Sequence, residues 1–141
     1  MKINKRNKER GAALIETAIT IPIVLLISVA IFEFGRAYQT WQVLTNAARE
    51  GARIAILTGK TDDEVRAAVT RYLNVGGLPT TNVTVNMNRN VDLGASNASQ
   101  ITVLYPYSFM VLNPVVQLIA SGATTGEPIT MSAQALMRNE N

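Results

Sequence analysis

Cysteine and histidine are both absent from this chain of 141 residues. Without cysteine there is no disulfide framework and no thiolate to bind a metal or attack a substrate. Without histidine the chain lacks the side chain that most often serves as general base and as metal ligand. The sequence therefore argues against an enzyme, and we predict no catalytic residues, no cofactor and no metal site.

An excess of positive charge is found only in the first ten residues. Residues 1–10 contain five cations and one acid, whereas the whole chain has a net charge of +3. The remainder is therefore slightly acidic and offers no basic patch for phosphates, so we expect no nucleic-acid partner. Cations before an apolar stretch follow the positive-inside rule, which places the N-terminus in the cytoplasm and everything after the stretch outside.

An apolar stretch runs from Gly11 to Phe34 and has no charged residue between Glu16 and Glu33. As a helix, residues 12–32 would be about 31 Å long, close to the hydrocarbon thickness of a bilayer. We predict one membrane-spanning helix. Glu16 is costly in lipid, which makes it a candidate functional residue; the alternative is a carboxylate that reaches headgroup water.

A competing interpretation is a secretory signal cleaved after Ala30, because Ser28 and Ala30 form a small-x-small pattern. We favour a continuous helix, since helical patterning passes through this site and continues to Leu57. Thr58-Gly59 then provides a stop. Apolar and small residues of the continuation recur at heptad period and predict one packed face. That face comprises Phe34, Ala37, Trp41, Leu44, Ala48, Gly51 and Ala55.

A second helix is predicted to begin with a capping box formed by Thr61 and Glu64, and to end at Gly76-Gly77. The acidic run at 62–64 suits a helix N-terminus, and we prefer this explanation to a metal site or an acid–base pair. Alternating apolar residues then predict three strands, over 83–87, 99–107 and 129–137, with a polar loop at 89–97. Three antiparallel strands and two helices predict an α+β domain, in which the helices cover one face of the sheet.

The segment 109–120 is conspicuously apolar but too short to span a bilayer. Asn113-Pro114 interrupts it and fits a helix start, with asparagine as the cap and proline in the first position. Core packing or a lid over the sheet is one interpretation. An exposed patch for a partner or for the membrane is the other, and the sequence leaves both open.

Three motifs carry a resemblance to a known family: GAALIETA at 11–18, FEFGRAY at 32–38 and NAAREGARIA at 46–55. They resemble those of TadE-like proteins, the minor pilins or pseudopilins of the tight-adherence (Flp) branch of type IV pili. The resemblance implies a type IV pilin-like fold in the inner membrane, with a single span. The implied parts are a cytoplasmic prepilin leader at 1–11, a transmembrane part at 12–34, an extracytoplasmic continuation at 35–59 and a small soluble domain at 60–141.

The resemblance also implies a processing site and partners. A prepilin peptidase would cleave between Gly11 and Ala12, and the new amine of Ala12 would pair with Glu16 of a neighbouring subunit. Other pilin or pseudopilin subunits are thus expected partners, with the assembly platform and its ATPase acting indirectly. Pro22 is either tolerated within the membrane helix or forms a hinge that lets subunits curve around a filament axis.

The AAREGAR segment is the candidate subunit interface. Glu50 and Arg53 stand three residues apart and are predicted to pair on one helix. We expect the small residues Ala48 and Ala52 to pack against the protein's own sheet, and Arg49 and Arg53 to contact a neighbouring subunit, since arginine is enriched at interfaces. The main functional alternative to a pilus subunit is an uncleaved single-pass membrane protein with an extracytoplasmic binding domain.

Overall fold

A computed structural model describes residues 5–94, 96–119 and 127–139. Three helices and three strands make up an α+β fold with a long N-terminal helix, as predicted. In chain order they are α1 (Lys5–Ala55), α2 (Asp62–Val75), β1 (Thr84–Asp92), β2 (Asn97–Tyr107), α3 (Leu112–Ile119) and β3 (Ile129–Arg138).

Helix α1 has 51 residues and is continuous through Pro22. It begins at Lys5, earlier than the predicted Ala12. The polar N-terminal residues are thus helical although they have no apolar periodicity. Among the described residues it is the one helix long and apolar enough to cross a membrane, and its apolar window is not buried by the rest of the fold. Leu14 and Leu25, for example, have exposed fractions of 71% and 60%.

The hydroxyl groups inside the apolar stretch are satisfied within α1 itself. Thr17, Thr20 and Ser28 each donate to the backbone carbonyl four residues earlier, over 2.7 to 2.8 Å. Such bonds remove the cost of exposing a hydroxyl to hydrocarbon. Glu16 is thus set apart as the charged residue of the span.

Helix α2 starts with the predicted capping box. The Thr61 hydroxyl accepts from the backbone N–H of Glu64, and the Glu64 carboxylate accepts from the backbone N–H of Thr61. The acidic run also supplies Asp62, whose carboxylate lies 2.8 Å from Nε of Arg89 on β1. Arg89 additionally donates to the carbonyl of Ala55, so this one side chain links β1 to the end of α1 and the start of α2.

The sheet has the order β1-β2-β3, and both strand pairs are antiparallel. Val85 lies opposite Val103, which in turn lies opposite Ala133. These residues are buried beneath α1 and α2, in a core that also contains Leu44 and Leu73. The outer face is largely polar. Helices cover one face of the sheet, as predicted.

Several boundaries differ from the sequence prediction: α1 ends at Ala55 rather than Leu57, and β2 begins at Asn97, two residues early. Strand β1 extends into the predicted polar loop as far as Asp92, with a register shift between Asn88 and Val91. Polar residues are compatible with this edge strand because its outer face is exposed. Helix α3 begins at Leu112, one residue before the Asn113 that we expected as its cap. Residue 120, the last of the predicted apolar segment, lies outside the described ranges.

The predicted packed face of α1 is correct at Ala37 and from Leu44 onward, and wrong at Phe34 and Trp41. Leu44, Ala48 and Ala55 are buried as expected. Phe34 and Trp41 are 61% and 44% exposed, whereas Glu33 and Thr40 are buried in their place. At these two positions the buried face is therefore shifted by one residue towards the N-terminus. The cause is Glu33, whose carboxylate is held inside by its hydrogen-bond partners.

Candidate functional site

The carboxylate of Glu33 is fully buried where α1 leaves the apolar stretch. Its two oxygens lie 2.9 and 3.1 Å from the backbone nitrogen of Met110, and Oε1 also accepts from Val111 over 3.0 Å. Met110 and Val111 directly precede α3, and N–H groups at this position have no partner within the helix. Glu33 thus acts as an N-terminal cap supplied by a distant part of the chain.

Arg36 and Tyr107 complete the surroundings of this carboxylate. Nη1 of Arg36 lies 3.6 Å from Oε1 of Glu33, and the guanidinium lies over the Tyr107 ring, 5.7 Å from its centroid. The Tyr107 hydroxyl donates to the backbone carbonyl of Glu33 over 3.5 Å. Burial raises the pKa of Tyr107 above its ordinary value of 10.0, so it remains a neutral donor at physiological pH.

Aromatic contacts extend this arrangement to the surface. The ring of Phe109 packs edge-on against Tyr107 at a centroid distance of 5.3 Å and against Phe34 at 5.9 Å. Such pairs stabilise a structure by about 0.5–1.5 kcal/mol beyond their buried area. The Glu33 cluster, as we name it, comprises Glu33, Arg36, Tyr107, Phe109, Met110 and Val111.

Sequence reasoning missed the Glu33 cluster because Glu33 was regarded only as the end of the uncharged stretch. One signal was available. Glu33, Ala37, Thr40 and Leu44 follow the same alternation of four and three residues as the rest of the packed face. A helix-packing pattern that includes a carboxylate predicts a buried partner, since a buried charge needs hydrogen bonds or an opposite charge.

The residues predicted for processing and assembly lie at the other end of the span. Gly11 and Ala12 lie within α1, one turn before Glu16, whose side chain is exposed. Pro22 is also exposed, on the same apolar part of the helix. Glu16 and Glu33 are separated by about 26 Å along the helix, so the structure does not bring the predicted assembly residues near the Glu33 cluster.

The AAREGAR segment has two different faces. Ala48, Ala52 and the intervening Gly51 are buried against the protein's own domain, as we expected for the alanines. A Cβ atom on Gly51 would lie 2.6 Å from Cγ2 of Val69 on α2 and 3.2 Å from Cγ2 of Ile101 on β2. The glycine is therefore required where two elements meet α1.

The charged face of the same segment contains the predicted ion pair. Nε and Nη2 of Arg53 donate to the two carboxylate oxygens of Glu50 over 2.9 and 2.7 Å. This hydrogen-bonded pairing lowers the pKa of Glu50 below its ordinary value of 4.5, and the Arg53 charge adds to the effect. Arg49 and Arg53 are exposed. The pairing is confirmed, and contact with a neighbouring subunit stays a prediction.

The fold and its long helix define the class of protein to which the chain belongs by its architecture. The chain has a pilin-like α+β architecture, and its exposed apolar helix is consistent with a single-pass membrane protein. The model of the family described as TadE-like protein matches residues 11–53. This segment is similar to the TadE-like family, and the resemblance inferred from its motifs is confirmed.

The match lies entirely within α1 and includes every residue predicted for processing, assembly or subunit contact, together with Glu33. It covers less than a third of the chain. No curated protein and no solved structure matches the sequence.

Proposed function

We propose that the protein is a minor pilin or pseudopilin that takes part in the assembly of Flp (tight-adherence) type IV pili. The single observation that carries the proposal is the TadE-like match over residues 11–53, which coincides with the apolar helix and its continuation. Members of this family are structural pilus components rather than enzymes.

In this proposal the precursor lies in the inner membrane with residues 1–11 in the cytoplasm, residues 12–34 in the bilayer and the remainder outside. The cations of the leader support that orientation. A prepilin peptidase removes the leader after Gly11, and the α-amine of Ala12 becomes charged one turn from Glu16.

Glu16 then specifies the assembly register. In an apolar filament interior each ion would lose its hydration, at a cost of several kcal/mol, and pairing with the amine of a neighbouring subunit offsets this loss. A shifted subunit would leave both charges unpaired. The exposure of Glu16 in the single chain and its place among internally satisfied hydroxyl groups support this role. Pro22, lying between the carboxylate and the domain, is the proposed hinge.

One observation favours a second candidate, the uncleaved membrane protein with an extracytoplasmic binding domain. The bond between Gly11 and Ala12 lies inside α1, with helical residues on both sides. Cleavage would require the helix to unwind locally. Gly11 lowers the cost of that step, since a helical glycine is less stable than alanine by about 1 kcal/mol.

Mass spectrometry of the N-terminus distinguishes the candidates. The full chain, purified from membranes of its own host, should begin at Ala12, and a Gly11→Leu variant should begin at Met1. Gly35→Leu is the matched control, because it makes the same change in α1 outside the processing site and should still be cleaved. A wild-type chain that begins at Met1 would establish the second candidate, and one that begins at Ile31 would indicate a secreted domain.

A further inference from the structure

An apolar surface lies at the membrane end of the soluble domain. Met110 is 67% exposed and Val111 is 42% exposed, in the turn that leads into α3. Phe109 connects this surface to Phe34 of α1 through the ring contact at 5.9 Å. Phe34 is 61% exposed, so apolar side chains continue from the span through Phe109 to Met110.

The level of this surface relative to the bilayer follows from Glu33. Side chains of α1 from Ala12 to Phe32 are exposed or half-buried, and full burial in the domain begins at Glu33. The preceding apolar residues already span the hydrocarbon thickness, so Glu33 would lie at the extracytoplasmic surface of the bilayer that α1 crosses. Since its carboxylate binds the backbone of Met110 and Val111, those residues must lie at the same height.

The backbone N–H groups of Met110 and Val111 are paired inside the protein rather than with water. Two N–H groups at the start of a helix ordinarily require water, and here the buried Glu33 carboxylate binds both. An unpaired N–H group costs several kcal/mol in an apolar medium, so this pairing makes the turn compatible with the headgroup–acyl boundary. The outer face of the sheet differs from the turn, because its exposed residues, such as Asn86 and Gln134, are polar and suited to water.

We propose that the 110–111 turn inserts into the outer headgroup–acyl boundary of the bilayer that α1 crosses. The proposal rests on the membrane span of the proposed function. The turn contacts lipid rather than another protein, because exposed apolar side chains continue from α1 to Met110 at the same height. A second membrane contact beside the span fixes the rotation of the whole chain about the axis of α1, and with it the direction in which Arg49 and Arg53 face.

Site-directed spin labelling tests this proposal directly, because the chain contains no native cysteine. Met110→Cys, Val111→Cys, Asn86→Cys and Leu25→Cys would each carry a nitroxide in the full-length protein, reconstituted into phosphatidylcholine–phosphatidylglycerol vesicles. Collision rates with oxygen and with a water-soluble nickel chelate report the depth of each label. We expect an oxygen-to-nickel ratio at 110 and 111 several-fold above that at Asn86 and below that at Leu25.

Other outcomes overturn the proposal in distinguishable ways. Ratios at 110 and 111 equal to that at Asn86, with a high ratio at Leu25, would refute the lipid contact and leave the span intact. A low ratio at Leu25 would refute the span itself. Protection at 110 that disappears on dilution of the protein into excess lipid would show that a second copy, and not lipid, covers the turn.

Discussion

The buried carboxylate of Glu33 accepts a hydrogen bond from the backbone N–H of Met110, which lies 77 positions further along the chain. This contact joins the last part of the apolar stretch to the start of α3. The charge is held by two N–H groups and lies close to the Arg36 guanidinium, so it is stabilising only while these partners are present. The position of the start of α3 relative to α1 therefore depends on this side chain.

Replacing Glu33 with alanine should destabilise the soluble domain. The two partly buried N–H groups would lose their acceptor, at up to about 1–3 kcal/mol each, so we expect a loss of about 3 kcal/mol in total. Glu33→Gln keeps one acceptor oxygen and should lose about 1 kcal/mol. Thermal unfolding of the detergent-solubilised chain, followed by the fluorescence of Trp41, the one tryptophan, measures both values.

Amide hydrogen exchange of the same variants shows where the loss arises. Exchange at Met110 and Val111 should accelerate in Glu33→Ala, while α2 remains protected. Glu127→Ala is the control, because it removes an exposed carboxylate and should change neither quantity. Equal destabilisation by the two alanine variants would contradict the capping role of Glu33.

Two glycines of α1 should respond oppositely to the same substitution. In Gly51→Ala the new methyl group would overlap the stiff side chain of Val69, so we expect a destabilisation of about 1–3 kcal/mol. Gly35→Ala meets no atom within 4 Å and should be neutral, or more stable by up to about 1 kcal/mol through helix propensity. Chemical denaturation of both variants measures the difference, and a stabilised Gly51→Ala would contradict the close contact of α1 with α2 and β2 at this position.

Local signals predicted much of this fold. The Thr61–Glu64 capping box, the alternation along β2 and the small residues that pack around Gly51 depend on neighbours in sequence, and the structure has each of them. The Glu33 cluster could not be predicted in the same way. Its N–H donors belong to an apolar segment without charge, and nothing near either segment indicates that they meet.

The positions of Arg89, Phe34 and Trp41 also differ from the sequence prediction, because contacts between distant parts of the chain decide them. Arg89 was expected in a loop, yet it lies on β1 and pairs with Asp62, because a polar sequence can form an edge strand when one face remains wet. Phe34 and Trp41 were expected inside because they are apolar. Both are instead largely exposed, because Glu33 and Thr40 occupy the buried positions of the helix.

Acid should remove the contribution of the Glu50–Arg53 pair. The hydrogen bonds from Arg53 lower the folded-state pKa of Glu50, so the pair's stabilisation is fully present above the ordinary value of 4.5. It is lost as the pH falls through the lowered pKa, when the carboxylate becomes protonated. We therefore expect Arg53→Met to lower the melting temperature at about pH 6 and to match the wild type once the pH is well below the lowered pKa of Glu50.

The effect is small because the pair is partly exposed, and salt should reduce it further. Arg49→Met serves as the control, since it removes an exposed cation from the same helix and touches no part of the bidentate contact. A pH-independent difference between Arg53→Met and the wild type would assign the loss to the packing of the arginine stem rather than to its charge.

Glu16 can be tested with a substitution that separates charge from polarity. Glu16→Ala should insert and be processed normally but fail to assemble, because the Ala12 amine of the neighbouring subunit would enter an apolar interior without a partner. Glu16→Gln should fail in the same way, since an amide accepts a hydrogen bond but neutralises no charge. A side chain that merely reaches headgroup water would be replaced by glutamine without loss. Electron microscopy of pili, with N-terminal mass spectrometry of membrane fractions to confirm processing, therefore decides between the two roles: pili of normal length in Glu16→Gln would exclude the ion pair.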